Sequence, residues 1–132
     1  MTSPRFPYAP APESRAVVNL RASYGLFIDG EFVSPGDGGH FKTENPSSQE
    51  VLAEVGSAGP ADIDRAVGAA RRAQEDVWGP MPGRERAKYL FRVARLIQER
   101  SRELAVVETL DNGKPIKESR DVDVPLAAAH FF

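Results

Sequence analysis

A long amphipathic helix that ends in a sharp stop is the feature that most constrains how this chain can fold. Apolar residues recur at helical spacing through residues 83–110, and the run Asp111-Asn112-Gly113-Lys114-Pro115 follows them. Glycine favours the left-handed conformation that closes a helix, and proline cannot continue one. We therefore predict one continuous helix over residues 83–110 whose apolar stripe must be covered by other elements. The stripe comprises Ala87, Leu90, Phe91, Ala94, Ile97, Leu104 and Val107.

Two further helices are predicted, one before and one after this helix. Pro60 occupies the place of a first helical residue, and Asp62 brings negative charge to the helix N-terminus. Apolar positions then recur at helical spacing as far as Ala73, and Gly79-Pro80-Met81-Pro82 ends the helix. Residues 124–132 begin another apolar helix, with proline in its first turn, and the pattern is still running at the last residue. That pattern predicts a segment of a longer chain.

The first half of the chain carries strand patterns. Two short apolar runs flank Asp29-Gly30, a pair typical of the two-residue type I′ hairpin turn, in which both central residues have positive φ. The loop over residues 34–39 is rich in glycine. Residues 40–45 and 50–55 then predict two more strands, with a turn at Asn45-Pro46-Ser47-Ser48 between them. Short strands are therefore predicted first along the chain, and long helices follow them.

Composition narrows the classes of protein that fit. The chain has 132 residues, a net charge of −2 and no cysteine, so disulfides, thiolate metal sites and a cysteine nucleophile are excluded within it. The balanced charge gives no general attraction to nucleic acid or anionic membrane. No apolar run approaches the length that spans a bilayer. Four of the eleven prolines fall within the first twelve residues, which predicts a flexible arm over residues 1–23. We expect a cytoplasmic protein.

Several patterns that resemble functional sites are better explained as structure. Gly36-Asp37-Gly38-Gly39 lacks the spacing of a nucleotide-binding loop and precedes no predicted helix. His40 and His130 are the two histidines, and together with Asp121 and Asp123 they would form a metal site only by a chance of folding. The arginines of residues 83–110 indicate a solvated helix face, partly stabilised by an Arg95–Glu99 pair.

Asp111 is the residue that most needs an explanation. Its carboxylate stands at the C-terminal end of a helix, where the macrodipole is already negative, so a cation is wanted nearby. One interpretation is that Lys114 or Lys117 supplies that charge. The other is a bound monovalent or divalent cation, held by the carboxylate and by carbonyl oxygens of a neighbouring turn, since hard cations prefer oxygen ligands.

Four motifs occur in an order that resembles a known family. They are Phe27-Ile28-Asp29-Gly30-Glu31-Phe32-Val33, Thr43-Glu44-Asn45-Pro46, Asp62-Ile63-Asp64-Arg65-Ala66-Val67 and Glu108-Thr109-Leu110-Asp111-Asn112-Gly113-Lys114-Pro115. Together they resemble the N-terminal quarter of an NAD(P)-dependent aldehyde dehydrogenase. The resemblance covers residues 24–132 and implies an α/β fold of which this segment is the lead-in to the cofactor-binding domain: a β-hairpin and short strands, then long amphipathic helices.

The resemblance also implies an activity and its requirements. Family members oxidise an aldehyde to a carboxylic acid with NAD or NADP: a cysteine thiolate attacks the aldehyde and a glutamate-activated water releases the acid. The family's catalytic residues and its cofactor-binding residues have no counterparts among these residues, so we expect the 132-residue chain alone to be inactive. The parent is expected to be a homo-oligomer that acts on a small-molecule aldehyde and binds neither nucleic acid nor membrane.

One site can be carried over from the family. A cation site common in the family maps to the backbone carbonyls of Thr43 and Glu44 and to the carboxylate of Asp111. The alternative to an enzyme segment is a non-catalytic module of helices that serves interaction or oligomerisation.

Overall fold

The structure is a computed structural model that describes residues 15–132, so most of the predicted flexible arm lies outside the described residues. In the last part of that arm, Arg15–Val17 form a 3-10 turn and Ser23 begins the first strand. Arg15 also pairs with Glu50 at 2.9 Å. The strands are β1 (Ser23–Tyr24), β2 (Leu26–Ile28), β3 (Glu31–Val33), β4 (His40–Glu44) and β5 (Val51–Gly56).

β2 and β3 form the predicted hairpin. They pair antiparallel, with Phe27 opposite Phe32. Asp29 and Gly30 at the turn have φ values of 56° and 85°, so the prediction of positive φ at both central residues is confirmed. A two-residue turn of this kind matches the natural twist of the two strands.

The other three strands form a sheet in the order β1-β5-β4, with β1 parallel and β4 antiparallel to β5. Val55 lies opposite both Tyr24 and Phe41, and Ala53 lies opposite Thr43. Directly paired residues share one side of a sheet, so these five side chains form one face. Tyr24, Val55, Ala53 and Thr43 line a cleft of about 380 Å³ against the third helix, described next.

Helices make up the second half of the described chain. α1 begins at Pro60, as predicted, and α5 contains Pro125 in its first turn, also as predicted. The bounds are α1 (Pro60–Ala73), a π turn (Gln74–Trp78), α2 (Gly83–Glu99), α3 (Ser101–Asn112), α4 (Ile116–Glu118), a second π turn (Ser119–Asp123) and α5 (Val124–Ala129).

The prediction of one continuous helix over residues 83–110 is wrong. α2 ends at Glu99, α3 begins at Ser101, and Arg100 between them has φ −103° and ψ 17°. The bend lets α2 pack against α5 while α3 packs against the segment that precedes α5. Ile97 and Leu104 are one heptad apart, so the apolar stripe keeps its period across the break. The break therefore leaves no trace in the hydrophobic pattern.

The core of the described residues consists of small side chains. Ala53, Ala69, Ala94, Ala105 and Ala128 are buried, with Val106, Leu110 and Val124 beside them. Larger apolar side chains remain exposed, among them Phe27, Phe32, Phe41, Tyr89 and Phe91. Across residues 15–132, no helix has the length and apolar character needed to cross a membrane.

Candidate functional site

The Asn-Pro turn after β4 is held by its own asparagine. Asn45 is buried, and its side-chain oxygen accepts a hydrogen bond from the backbone N–H of Ser47 at 2.9 Å. The Asn45 carbonyl accepts from the N–H of Gln49 at 2.7 Å, and the Asn45 N–H donates to Glu50 at 2.9 Å. These bonds satisfy the backbone of a tight turn without neighbouring elements. The strand end that carries Thr43 and Glu44 is thereby fixed in direction.

The end of α3 is closed by glycine, as the sequence predicted. Gly113 has φ 76° and its N–H donates to the Thr109 carbonyl at 3.0 Å. The side-chain amide of Asn112, the last residue of α3, donates to the side chain of Glu108 one turn earlier at 3.1 Å. Asp111 stands in the last turn of this helix with an exposed side chain.

The two motifs meet at two points. The Thr43 hydroxyl donates a hydrogen bond to Oδ1 of Asp111, across 68 positions of sequence. A Cβ atom built on Gly113 would lie 2.6 Å from Cγ of Pro46, so the proline ring packs directly on the glycine backbone. A side chain at position 113 would both clash with Pro46 and strain the positive φ. The structure thus brings Thr43 and Asp111 together as the resemblance implied.

The lysine interpretation of Asp111 is wrong for Lys114. The Nζ of Lys114 lies 2.6 Å from Oδ2 of Asp123, and this hydrogen bond raises the pKa of Lys114. Within the described part of the chain, Lys117 also forms no ion pair with Asp111. At the C-terminus of α3 the Asp111 carboxylate therefore accepts a hydrogen bond from the Thr43 hydroxyl, and within the described residues no lysine forms an ion pair with it.

The groups at this junction that could hold a hard cation are oxygen atoms. Asp111 offers a carboxylate, and β4 lies at an edge of the three-stranded sheet, where alternate backbone groups have no strand partner among residues 15–132. The pairing of β4 with β5 also shifts between Thr43 and Glu44 and skips Leu52, a bulge that further disturbs the ladder there. One formal negative charge among neutral oxygens matches a monovalent ion better than a divalent one.

The histidine–aspartate combination does not form a metal site. Among residues 15–132, no group of three or more histidine, cysteine or acidic side chains is placed to hold a metal ion. The Nδ1 atom of His40 lies 3.0 Å from the Gly38 carbonyl, and that of His130 lies 2.7 Å from the Leu126 carbonyl. Asp121 is engaged by Arg120 at 2.6 Å, which lowers its pKa.

Asp62 has a structural role that the sequence pattern did not reveal. Its side chain is buried, and it accepts hydrogen bonds from the N–H groups of Gly36 and Gly59 at 3.1 Å each and from Arg65 at 2.7 Å. These bonds lower the pKa of Asp62, and the bond from Gly36 contributes most to that shift. The carboxylate therefore fastens the glycine-rich loop to the first turn of α1. An acid three positions after Gly59 is the spacing of a capping box, which was the available signal.

Several basic residues of α2 and of the link between α2 and α3 are engaged locally, as expected of a solvated helix face. The predicted Arg95–Glu99 pair is wrong: Glu99 pairs with Arg92 at 3.2 Å, and Arg95 donates to Gln98 at 3.2 Å. Other contacts are Lys88 with Glu85 at 2.7 Å and Arg100 with Glu103 at 2.6 Å.

Comparison with known proteins identifies the family. Residues 32–132 match the model of the aldehyde dehydrogenase family. The chain is 42% identical over 114 residues to aldehyde dehydrogenase B of Escherichia coli (strain K12), covering 86% of this chain and 22% of that protein. It is 40% identical over 124 residues to acetaldehyde dehydrogenase of Pseudomonas aeruginosa, covering 94% and 24%.

Solved structures agree with the sequence relatives. The NAD+ complex of an aldehyde dehydrogenase from Bacillus cereus superimposes with a TM-score of 0.82 at 41% identity, covering 93% of this chain and 25% of that one. The chain belongs to the aldehyde dehydrogenase family. It spans 22% to 24% of the length of the curated relatives it matches.

Proposed function

We propose that these residues form the N-terminal part of an enzyme that oxidises an aldehyde to a carboxylic acid with NAD+ or NADP+. Family membership supports this, together with the names of the relatives, which include an acetaldehyde dehydrogenase. The same proposal includes a cytoplasmic, homo-oligomeric parent that acts on a small-molecule aldehyde and has neither nucleic acid nor membrane as a partner.

The 132 residues themselves do not carry out that oxidation. The family reaction needs a thiolate to attack the aldehyde carbon, and the chain contains no cysteine. The hydride would then pass to the nicotinamide, and water would hydrolyse the thioester. Serine and threonine hydroxyls are weak nucleophiles without an adjacent general base.

The contribution of this part of the chain is a scaffold that carries a cation site. Asp111 would hold a monovalent cation together with the backbone carbonyls of Thr43 and Glu44. The observation that carries this proposal is the junction itself: Thr43 and Asp111 are hydrogen-bonded, and Pro46 packs on Gly113. A cation there would complete the charge balance at the end of α3 and hold the Asn-Pro turn against the helix.

Inactivity is tested with the purified 132-residue protein. It is incubated with NAD+ or NADP+ and a series of short aldehydes, and absorbance of the reduced cofactor is followed. We expect no turnover above buffer. Turnover that copurifies with the protein through a second column would contradict the proposal, and a stable helical oligomer without turnover would favour the alternative interaction module.

The proposed cation site is tested by thermal unfolding of the full-length parent enzyme. A ligand that binds the folded state alone raises its stability with concentration. We expect a higher melting midpoint in potassium or sodium chloride than in choline chloride of equal ionic strength. Asp111→Asn, which removes the charge and keeps the shape, should remove the difference. Magnesium chloride shows whether a divalent ion is preferred, and identical midpoints in all four salts would refute the site.

A further inference from the structure

We propose that the hydroxyl group of Thr43 is a positioning group for Asp111, distinct from the backbone carbonyl that Thr43 would offer to a cation. This inference rests on the proposed cation site and assigns a specific role to one of its side chains. The observation behind it is the hydrogen bond from the Thr43 hydroxyl to Oδ1 of Asp111.

The strand holds the hydroxyl in a defined place. Thr43 is β-branched, so its side chain has few rotamers, and it lies directly opposite the buried Ala53 of β5. Thr43 is the last residue of β4 before the register shift, and the turn at Asn45 fixes the direction of the strand there. The donor is therefore presented by a rigid element.

The acceptor would be mobile without that donor. Asp111 is exposed at the end of α3, although its neighbour Leu110 is buried and anchors the backbone. A carboxylate on an exposed helix end rotates freely about its side-chain bonds, and fixing such rotations costs free energy on binding. The hydroxyl occupies Oδ1, and among the described residues Oδ2 accepts no hydrogen bond, so that oxygen is available to a cation. A carboxylate fixed before binding holds the ion more tightly than one that must be ordered by it.

The hydroxyl also explains why a carboxylate is tolerated there. Asp111 stands at the negative end of the helix dipole, without a lysine partner among the described residues. A hydroxyl donor offsets part of that repulsion but adds no positive charge, so the attraction for a cation is kept. A lysine in the same place would satisfy the carboxylate and compete with the ion.

Thr43→Val tests the proposal, because valine keeps the branched shape and removes the donor. We expect the apparent Kd for potassium, measured from the rise of the melting midpoint with potassium chloride against choline chloride, to increase about tenfold. Thr43→Ser keeps the hydroxyl and should restore binding to within a few-fold of wild type. If Thr43→Val loses the far-UV circular dichroism of the fold, Thr43→Ala carries the same comparison.

A double substitution separates positioning from simple packing. In the Asp111→Asn background, Thr43→Val should cause no further change in the response to potassium, because there is no charged ligand to position. A purely structural bond predicts a different result: Thr43→Val would lower the midpoint equally in potassium and in choline. That outcome, or a failure of Thr43→Ser to restore binding, would overturn the inference.

The two proposals fail in distinguishable ways. If the wild-type midpoint ignores potassium and sodium, the cation site is refuted and the role of Thr43 with it. If potassium stabilises the wild type, Asp111→Asn abolishes the effect and Thr43→Val preserves it, the cation site stands and the positioning role of the Thr43 hydroxyl is refuted.

Discussion

Gly113→Ala should destabilise the protein well beyond the usual cost of alanine in a left-handed conformation. Gly113 has φ 76°, and for a residue with a Cβ that region costs about 1–2 kcal/mol. The added Cβ would lie 2.6 Å from Cγ of Pro46, and forcing a methyl group into a filled contact costs about 1–3 kcal/mol. Alanine also lowers the conformational entropy of the unfolded chain, which stabilises the folded state by about 0.4–1 kcal/mol. The free energy of unfolding should therefore fall by about 2–4 kcal/mol.

Gly38→Ala is the matched control. Gly38 has φ 73°, close to that of Gly113, but a Cβ built on it meets nothing within 4 Å. The free energy of unfolding of this variant should fall by about 0.5–1 kcal/mol, which is the cost of the conformational strain minus the gain from the lower entropy of the unfolded chain. The difference between the two variants isolates the contact with Pro46.

Urea unfolding followed by circular dichroism measures both variants, with the free energy extrapolated linearly to water. The double variant Pro46→Ala/Gly113→Ala completes the comparison. If the clash is with the proline ring, the double variant should lose less than the sum of its single variants. A Gly113→Ala variant as stable as Gly38→Ala would refute the proposed contact between the turn and the helix end.

Three further outcomes are expected. Asp62→Asn should lower the urea midpoint at pH 7, because the wild-type carboxylate stabilises the folded state there. The difference between wild type and variant should shrink as the pH falls below 3.8, because the folded carboxyl, whose pKa is lowered, becomes protonated and its stabilisation is lost. An equal difference at pH 7 and in acid would contradict this. Arg86→Lys should lower the melting midpoint, since one guanidinium nitrogen donates to the carbonyls of Trp78, Gly79 and Met81, whereas Arg84→Lys, with no such bond among the described residues, should be silent. Replacing Phe27 and Phe32 with serine should reduce binding of a hydrophobic dye by the 132-residue protein and leave its melting midpoint nearly unchanged, because the two residues are 63% and 62% exposed. Undiminished dye binding would show that the dye binds another apolar surface.

Local signals in the sequence predicted the local parts of this structure. Asp29-Gly30 specified the hairpin turn, Pro60 the start of α1 and Gly113 the end of α3, because each of these depends on the backbone preferences of one or two residues. The bend at Arg100 was not predictable in this way. It depends on which elements α2 and α3 pack against, and the heptad spacing across it hides it.

The candidate site was predictable in part. The resemblance brought Thr43, Glu44 and Asp111 together, and the structure places Thr43 and Asp111 in contact. The hydrogen bond of the Thr43 hydroxyl was not foreseen, because it joins residues 68 positions apart and threonine is common on strands. Backbone carbonyl ligands are harder still to predict, since every residue has one and no side-chain type marks them.

The composition of the core explains why the junctions should matter so much to stability. Five of the eight buried apolar residues in the described chain are alanine, and each buries little area compared with a leucine or a phenylalanine. Small side chains let helices and strands approach closely, but they supply limited hydrophobic free energy. The specific contacts that lock elements together, such as Asp62 with the glycine-rich loop and Pro46 with Gly113, then carry a larger share of the free energy of unfolding. Substitutions at these junctions should therefore be more damaging than substitutions on the exposed apolar faces, whose side chains gain little from folding of these residues alone.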